Sequence, residues 1–330
     1  MTKQQRYRGA FLGLACGDAV GTTLEFKRLG SFEPINDMVG GGPFRLEVGQ
    51  WTDDTSMALC LAESLLEKRG FDPADQMERY VRWYQEGYMS SNGVCFDIGN
   101  TVSAALRNFE QTGEPYSGDT HPHSAGNGSI MRLAPVPMAY ASQPERALKL
   151  AAESSRTTHQ AQLAIDGCRY FAGLIIGALN GISKNMLLAA HYSPVPNYWQ
   201  DHPLAPEMDA VASGSFKRKM PPLEINLVAG MGHRKSNDGE TIKGSGYVVE
   251  SLEAALWAFY HSNSFEEGCL KAANLGDDAD TTAAVYGQLA GAFYGEEGIP
   301  KKWRDQVTMH DLIVDFADAL FRFDANADSS

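Results

Sequence analysis

Apolar and polar residues follow helical spacing along almost the whole chain. Gly9, Gly13, Gly17 and Gly21 recur every fourth residue in GAFLGLACGDAVG and form one smooth stripe on a helix. Such a stripe costs roughly 1 kcal/mol of helix propensity per glycine relative to alanine, and in return lets a second helix approach closely. The same device recurs near the C-terminal end, where Ala283, Gly287, Ala290 and Gly291 keep helical spacing in TTAAVYGQLAGAFYG. Between the two stripes the pattern predicts amphipathic helices over residues 56–68, 73–84, 99–109, 145–154, 161–179 and 248–261. Alternation of the strand type is nearly absent, so the expected fold class is all-α.

Two stretches break the pattern. Residues 32–50 are rich in Gly and Pro and read as loop. Residues 197–243 hold Pro203, Pro206, Pro221, Pro222 and a polar GHRKSNDGET run. The helices on either side share the same small-residue character. The chain therefore reads as a single compact multi-helix domain, 1–330, with a polar, loop-rich excursion at about 197–243. The tail 326–330 is expected to fray.

Composition narrows the function. There are 28 Lys and Arg against 41 Asp and Glu, a net charge of −13, which argues against binding a nucleic-acid backbone or an anionic membrane. The basic start MTKQQRYRGAFLG lacks a signal-peptide cleavage pattern, and Asp18 interrupts its apolar run. The apolar stretch 171–182 is short of the roughly 20 residues a bilayer needs and reads as a buried helix. Five scattered cysteines with no CxxC read as reduced packing residues, so a soluble, cytoplasmic protein is expected, and a monomer.

The chemistry concentrates in three motifs. Thr52-Asp53-Asp54-Thr55 stands directly before one predicted helix, and Gly276-Asp277-Asp278-Ala279-Asp280-Thr281-Thr282 directly before the second small-residue helix. Either alone reads plainly as an N-cap with carboxylates at the positive end of a helix dipole. Two such clusters point further, because crowded carboxylates repel and a bound cation is the cheapest way to keep them ionised. All-oxygen ligands favour a hard ion, Mg²⁺ or Mn²⁺, over zinc, and Thr52, Asp53, Asp54, Asp278, Asp280 and Thr281 could hold two side by side. The third motif, residues 123–132, is a small-residue turn with a helix expected after it, a candidate cradle for a phosphate or an ordinary loop.

Taken in order, GAFLGLACGDAVGTTLE, WTDDTSMAL, FDIGNT, SAGNGSIMR, SSRTTH, KGSGYVVESLEAALWAF and NLGDDADTTAAVYGQLAGAFYG resemble the ADP-ribosylglycohydrolase family over residues 6–323. The branch that looks most similar is that of the dinitrogenase-reductase-activating glycohydrolases, which are ADP-ribosyl-arginine hydrolases. The resemblance implies an all-α domain with two Mg²⁺ or Mn²⁺ ions in a central cleft. It also implies hydrolysis at ribose C1″ that frees ADP-ribose from an ADP-ribosylated protein. Carried over by motif, Thr52, Asp53, Asp54, Asp278, Asp280 and Thr281 become the metal ligands, with Glu25 the acid/base group beside them. Gly99, Asn100, Ser124, Gly126, Asn127, His159 and Tyr247 become ADP-ribose contacts. Many relatives carry two glycines where this chain has Gly276-Asp277; placing the ligands on Asp278, Asp280 and Thr281 preserves the x-Asp-Thr spacing.

Asp97 bears on the linkage. It reads either as a helix N-cap or, as the resemblance implies for an aspartate in FDIGNT, as the carboxylate facing a modified guanidinium. Taken singly, Glu25 could equally be a surface residue after a helix, His159 a satisfied polar residue, and Tyr247 core packing. The alternatives are the same fold acting on ADP-ribosyl-serine or another linkage, a non-catalytic ADP-ribose-binding or structural member, and a two-metal phosphohydrolase.

Overall fold

The computed structural model describes residues 1–221 and 241–327. The main helices are α1 (Lys3–Gly21), α2 (Asp53–Glu67), α3 (Pro73–Glu86), α4 (Asn100–Thr112), α5 (Pro144–Arg156), α6 (Gln162–Leu179), α7 (Val248–Tyr260), α8 (Phe265–Ala273), α9 (Ala279–Tyr294) and α10 (His310–Ala327). No strand occurs among the described residues, only isolated bridges such as Gly41 with Leu46. The fold is all-α.

The glycine stripe of α1 packs antiparallel on the stripe of α9. A Cβ built on Gly13 would lie 2.2 Å from the carbonyl oxygen of Gly287, and one on Gly287 1.9 Å from that of Gly13. Gly9 meets Gly291 and Gly17 meets Ala283 in the same way, so the backbones touch directly along the seam. At its far end a Cβ on Gly21 would lie 2.3 Å from the oxygen of Ala279. The close seam therefore fixes the C-terminal end of α1 against the N-terminal end of α9, where Asp278 and Asp280 begin.

The remaining helices cover this pair. One continuous core runs from Tyr7, Phe11 and Leu14 on α1 through Met57 and Leu61 on α2, Phe171 and Ile175 on α6, and Leu256 and Phe259 on α7 to Ile313 and Leu320 on α10. Helix α6 is long and apolar enough for a membrane by length and composition alone, with mean hydropathy 1.2, but 83% of it is packed inside the fold. It is a core helix.

Helix α2 begins three residues before the predicted 56–68, which puts Asp53 and Asp54 inside its first turn. Residues 32–50 form the expected loop. The excursion at 197–243 is more ordered than its composition suggests, with short helices at Tyr198–Asp201, Pro206–Ala212 and Ser215–Arg218 that bury Tyr198, Met208 and Phe216. Residues 222–240, and 328–330 of the tail, lie outside the described residues.

Candidate active site

Of the plain explanation of the acidic motifs, the first-turn carboxylates hold, since Asp53, Asp54 and Asp280 lie in the first turns of their helices, but the side-chain caps do not. Thr52 and Asp278 hold the N-cap positions of α2 and α9, yet neither side chain caps its own helix. Thr52 Oγ1 instead lies 2.8 Å from Asp18 Oδ1, 3.2 Å from Asp280 Oδ2 and 3.3 Å from Asp54 Oδ2. The open amides of α9 are served from outside, by Glu25: Ala279 N–H donates to its Oε2 at 2.8 Å and Asp280 N–H at 3.4 Å. A negative side chain at the positive end of α9 is favourable, and it ties the segment after α1 to the acidic helix.

The carboxylates form two triads that share one member. Oxygens of Asp18, Asp54 and Asp280 lie within 4.8 Å of one another, and so do those of Glu25, Asp278 and Asp280. Thr281 Oγ1 joins the first group at 3.3 Å from Asp54 Oδ2. Burial and neighbouring carboxylates push every one of these acids upward. Asp18 and Asp278 rise to about 7 and Asp280 to about 6, each first through loss of water and then through a neighbouring aspartate. Asp53, Asp54 and Glu25 are raised further for the same reasons.

This arrangement fits hard cations. Asp54 Oδ1 is buried with no hydrogen-bond partner among the described residues, a costly state for a carboxylate oxygen unless something positive meets it. Two oxygen-only clusters around a shared aspartate suit two divalent ions.

A cleft of about 370 Å³ opens beside the acids. It is lined by Glu25, Asp53, Asp97, Gly99, Asn100, Gly126, Asn127, His159, Asp278, Asp280 and Thr281, so the structure gathers most of the sequence-derived site residues in one place. Thr52 and Asp54 lie beneath it, fully buried. Asn127 reaches across, donating from Nδ2 to Asp278 Oδ2 at 2.9 Å and to Ser251 Oγ at 3.1 Å. Asp97 is not a cap: the N-cap of α4 is Gly99, and Asp97 stands outside the helix at φ 59°, raised to about 6 chiefly by burial.

Several expectations meet a different arrangement. Ser124 is not among the residues lining the cleft; its hydroxyl donates to Asp119 Oδ2 at 2.5 Å. The ring of Tyr247 is not in the lining either, nor is it core: the residue is 37% exposed, and its backbone bridges Gly126 at the rim. The 123–132 turn leads into no long helix; the next is the short Pro135–Ala139. Asp277 turns outward. Its backbone exchanges hydrogen bonds with Phe26 and Lys27, both at 2.7 Å, and its φ of 60° is a left-handed value that suits glycine and that aspartate tolerates. The register on Asp278 and Asp280 follows.

Sequence reading missed Asp18. It is fully buried on α1 and accepts from the backbone and hydroxyl of both Thr52 and Thr55, at 2.6–3.1 Å. The signal was a lone carboxylate inside a stripe of glycine and alanine. A larger groove of about 1050 Å³ lies elsewhere, between α5, α6 and the segment after Pro194, and contains none of these acids.

The chain is 41% identical over 314 residues to the ADP-ribosylarginine hydrolase Tri1 of Serratia proteamaculans, covering 95% of this chain and 78% of that protein. It is 44% identical to the protein of the same name in Pseudomonas putida, covering 96% and 78%. The ADP-ribosyl-[dinitrogen reductase] glycohydrolase of Rhodospirillum rubrum is 32% identical, covering 92% and 90%. A solved structure described as an ADP-ribosylglycohydrolase-related protein complex superposes with a TM-score of 0.81 at 43% identity, covering 98% of this chain and 99% of that one. The ADP-ribosylglycohydrolase family model matches residues 1–329, and the chain belongs to that family.

Proposed function

We propose that this protein hydrolyses the bond between ribose C1″ and a modified arginine side chain. Water adds across the C1″–N bond, the hydroxyl going to C1″ and a proton to the departing guanidino nitrogen. The products are free ADP-ribose and an unmodified arginine. The observation that carries the linkage is Asp97, a partly buried carboxylate facing the same small cleft as Glu25 and the acidic triads. A carboxylate accepts paired, charge-assisted hydrogen bonds from a planar guanidinium, which a serine linkage does not offer. The similarity to proteins named ADP-ribosylarginine hydrolases supports the same reading.

The residues that would hold two divalent cations are Asp18, Thr52, Asp54, Asp280 and Thr281 on one side and Glu25, Asp278 and Asp280 on the other; Asp53, expected among the ligands, lines the cleft but belongs to neither triad. When bound, such ions supply Lewis-acid polarisation of the oxygens they touch. The chain's own groups do the rest. Asn127 fixes the Asp278 carboxylate, Glu25 stands ready to hold or release a proton at the cleft wall, and Gly126 and Gly128 keep that wall low enough for a ligand to lie along it. Mg²⁺ or Mn²⁺ suits the oxygen set. The net charge of −13 and five free cysteines support a cytoplasmic protein that binds neither nucleic acid nor membrane.

Release of ADP-ribose from an arginine-linked and a serine-linked peptide, each with Mg²⁺, Mn²⁺ or EDTA, tests the reading. Metal-dependent release from the arginine peptide alone is expected. Release from serine alone would remove the linkage argument and keep the family chemistry.

A further inference from the structure

In the cleft wall, His159 is fixed more firmly than a ligand contact alone requires. Its backbone N–H donates to Ser155 O at 2.7 Å, and Ser155 Oγ donates back to His159 O at 2.9 Å. Its ring lies against two glycines. A Cβ built on Gly128 would stand 2.8 Å from Cε1, and one on Gly126 3.3 Å from Nε2. Behind the ring, Arg132 is completely buried. Among the described residues its guanidinium meets no carboxylate. It donates to Gly128 O, to Ser154 O, to the hydroxyls of Thr157 and Thr158, and lies 4.9 Å from the Tyr80 ring.

We infer that Arg132 and Thr158 are positioning residues that hold His159 as the tautomer protonated on Nε2, so that this N–H donates into the cleft to an oxygen of bound ADP-ribose. The direction of the chain follows from what each group can do. A guanidinium only donates, so Thr158 Oγ1, 2.7 Å from Arg132 Nη2, is the acceptor there. The buried hydroxyl's own proton finds no other acceptor among the described residues than its second neighbour, His159 Nδ1 at 2.9 Å. Nδ1 is thereby the acceptor, and the ring's remaining proton sits on Nε2, at the edge that faces Gly126 and the cleft. Burial, reinforced by the Arg132 charge, brings the imidazole down to about 3, which keeps the ring neutral. Arg132 thus acts through two intermediates. It touches no ligand.

This inference rests on ADP-ribose being the ligand of the cleft, and its test separates the two. Ring-¹⁵N-labelled, Mg²⁺-loaded full-length protein is observed by NMR. The His159 signals are picked out of the eight histidines by their loss in His159→Gln. The wild type and Thr158→Ser are expected to show Nδ1 unprotonated and Nε2 protonated. Thr158→Val is expected to give mixed tautomers and to bind ADP-ribose about three- to tenfold more weakly, the range for one lost hydrogen bond. Protonated Nδ1 in the wild type overturns the inference even if no variant folds. So does a folded Thr158→Val that keeps both tautomer and affinity. Should the Nε2–H tautomer and the affinity change appear while arginine-linked peptide stays intact, the proposed linkage fails and the positioning role stands.

Discussion

Asp18, Asp54 and Asp280 are buried together beside the cleft, and Arg132, joined to His159 through Thr158, is buried with no carboxylate partner among the described residues. Both place charge where water cannot reach it. The guanidinium is met by carbonyls, hydroxyls and an aromatic ring, all of them fixed dipoles of the fold. The carboxylates also accept from amides and hydroxyls of the fold, as Asp18 does from Thr52 and Thr55, but they crowd one another and leave Asp54 Oδ1 unpartnered among the described residues. The chain's own dipoles meet the two terminal nitrogens of Arg132, leaving Nε without a partner among the described residues. The acidic clusters could hold ions, and on that reading their stability is expected to depend on them.

The sharpest way to break this contrast is Asp280→Asn, which removes the carboxylate shared by both triads. Metal-dependent release of ADP-ribose should fall by about a thousandfold or more, since the polarising effect of such ions is worth several kcal/mol. The metal-free protein should at the same time melt at a higher temperature, because one repelling charge is gone. A lower metal-free melting point would mean that the cluster is self-satisfied after all.

Asp97→Asn should be selective. Turnover of arginine-linked substrate is expected to drop by about a hundredfold, with ADP-ribose affinity and the metal-dependent melting shift unchanged. An equal loss of affinity and turnover would place Asp97 with the ligand-holding groups instead.

Saturating Mg²⁺ or Mn²⁺ should stabilise the folded chain, by about 2.7 kcal/mol at a hundred times the dissociation constant. A carboxyl whose folded pKa is raised holds its proton more tightly in the folded chain than in the unfolded one. The metal-free protein should therefore lose stability as pH rises from about 4 towards 7, the value reached by Asp18 and Asp278. Ions compete with those protons, so the metal-induced shift in melting temperature should be larger at pH 8 than at pH 5. His159 has the opposite sign. Its folded pKa is lowered, so its contribution is present above about 6.5 and fades as pH falls towards 3. Thermal melts of Asp54→Asn and His159→Gln across this range should bend the metal-free pH profile in opposite directions.

The smallest expected effect is indirect. Gly13→Ala puts a methyl 2.2 Å from the Gly287 oxygen and should cost about 1–3 kcal/mol. Because the same seam aligns Glu25 with α9, the metal-dependent melting shift should shrink as well. Stability lost with the metal response intact would uncouple the seam from the site.

Much of this was legible in the sequence, and for local reasons. The 3.6-residue period gave the helices to within a few residues, because amphipathic spacing is a property of short windows. Thr52, Asp53, Asp54, Asp278, Asp280 and Thr281 stood out because each set is contiguous. Asp18 did not, since its partners Thr52 and Thr55 are more than thirty positions away. The same holds for Arg132, whose buried charge is explained only by the turn at Ser154–Thr158 that folds over it. Ser124 and Tyr247 show the converse: motif position put them near the cleft, and side-chain direction then took them out of its lining.

The sequence by itself determined the helical class, the two small-residue stripes and the chemistry of the acidic motifs, because propensity, periodicity and ligand type reside in neighbouring residues. Only the tertiary structure decided which carboxylates cluster, that Glu25 accepts from the open amides of α9, and how His159 is held. Those are distances between chain segments far apart in order, and they are set by backbone contact along the α1–α9 seam and by the need to satisfy groups buried around it.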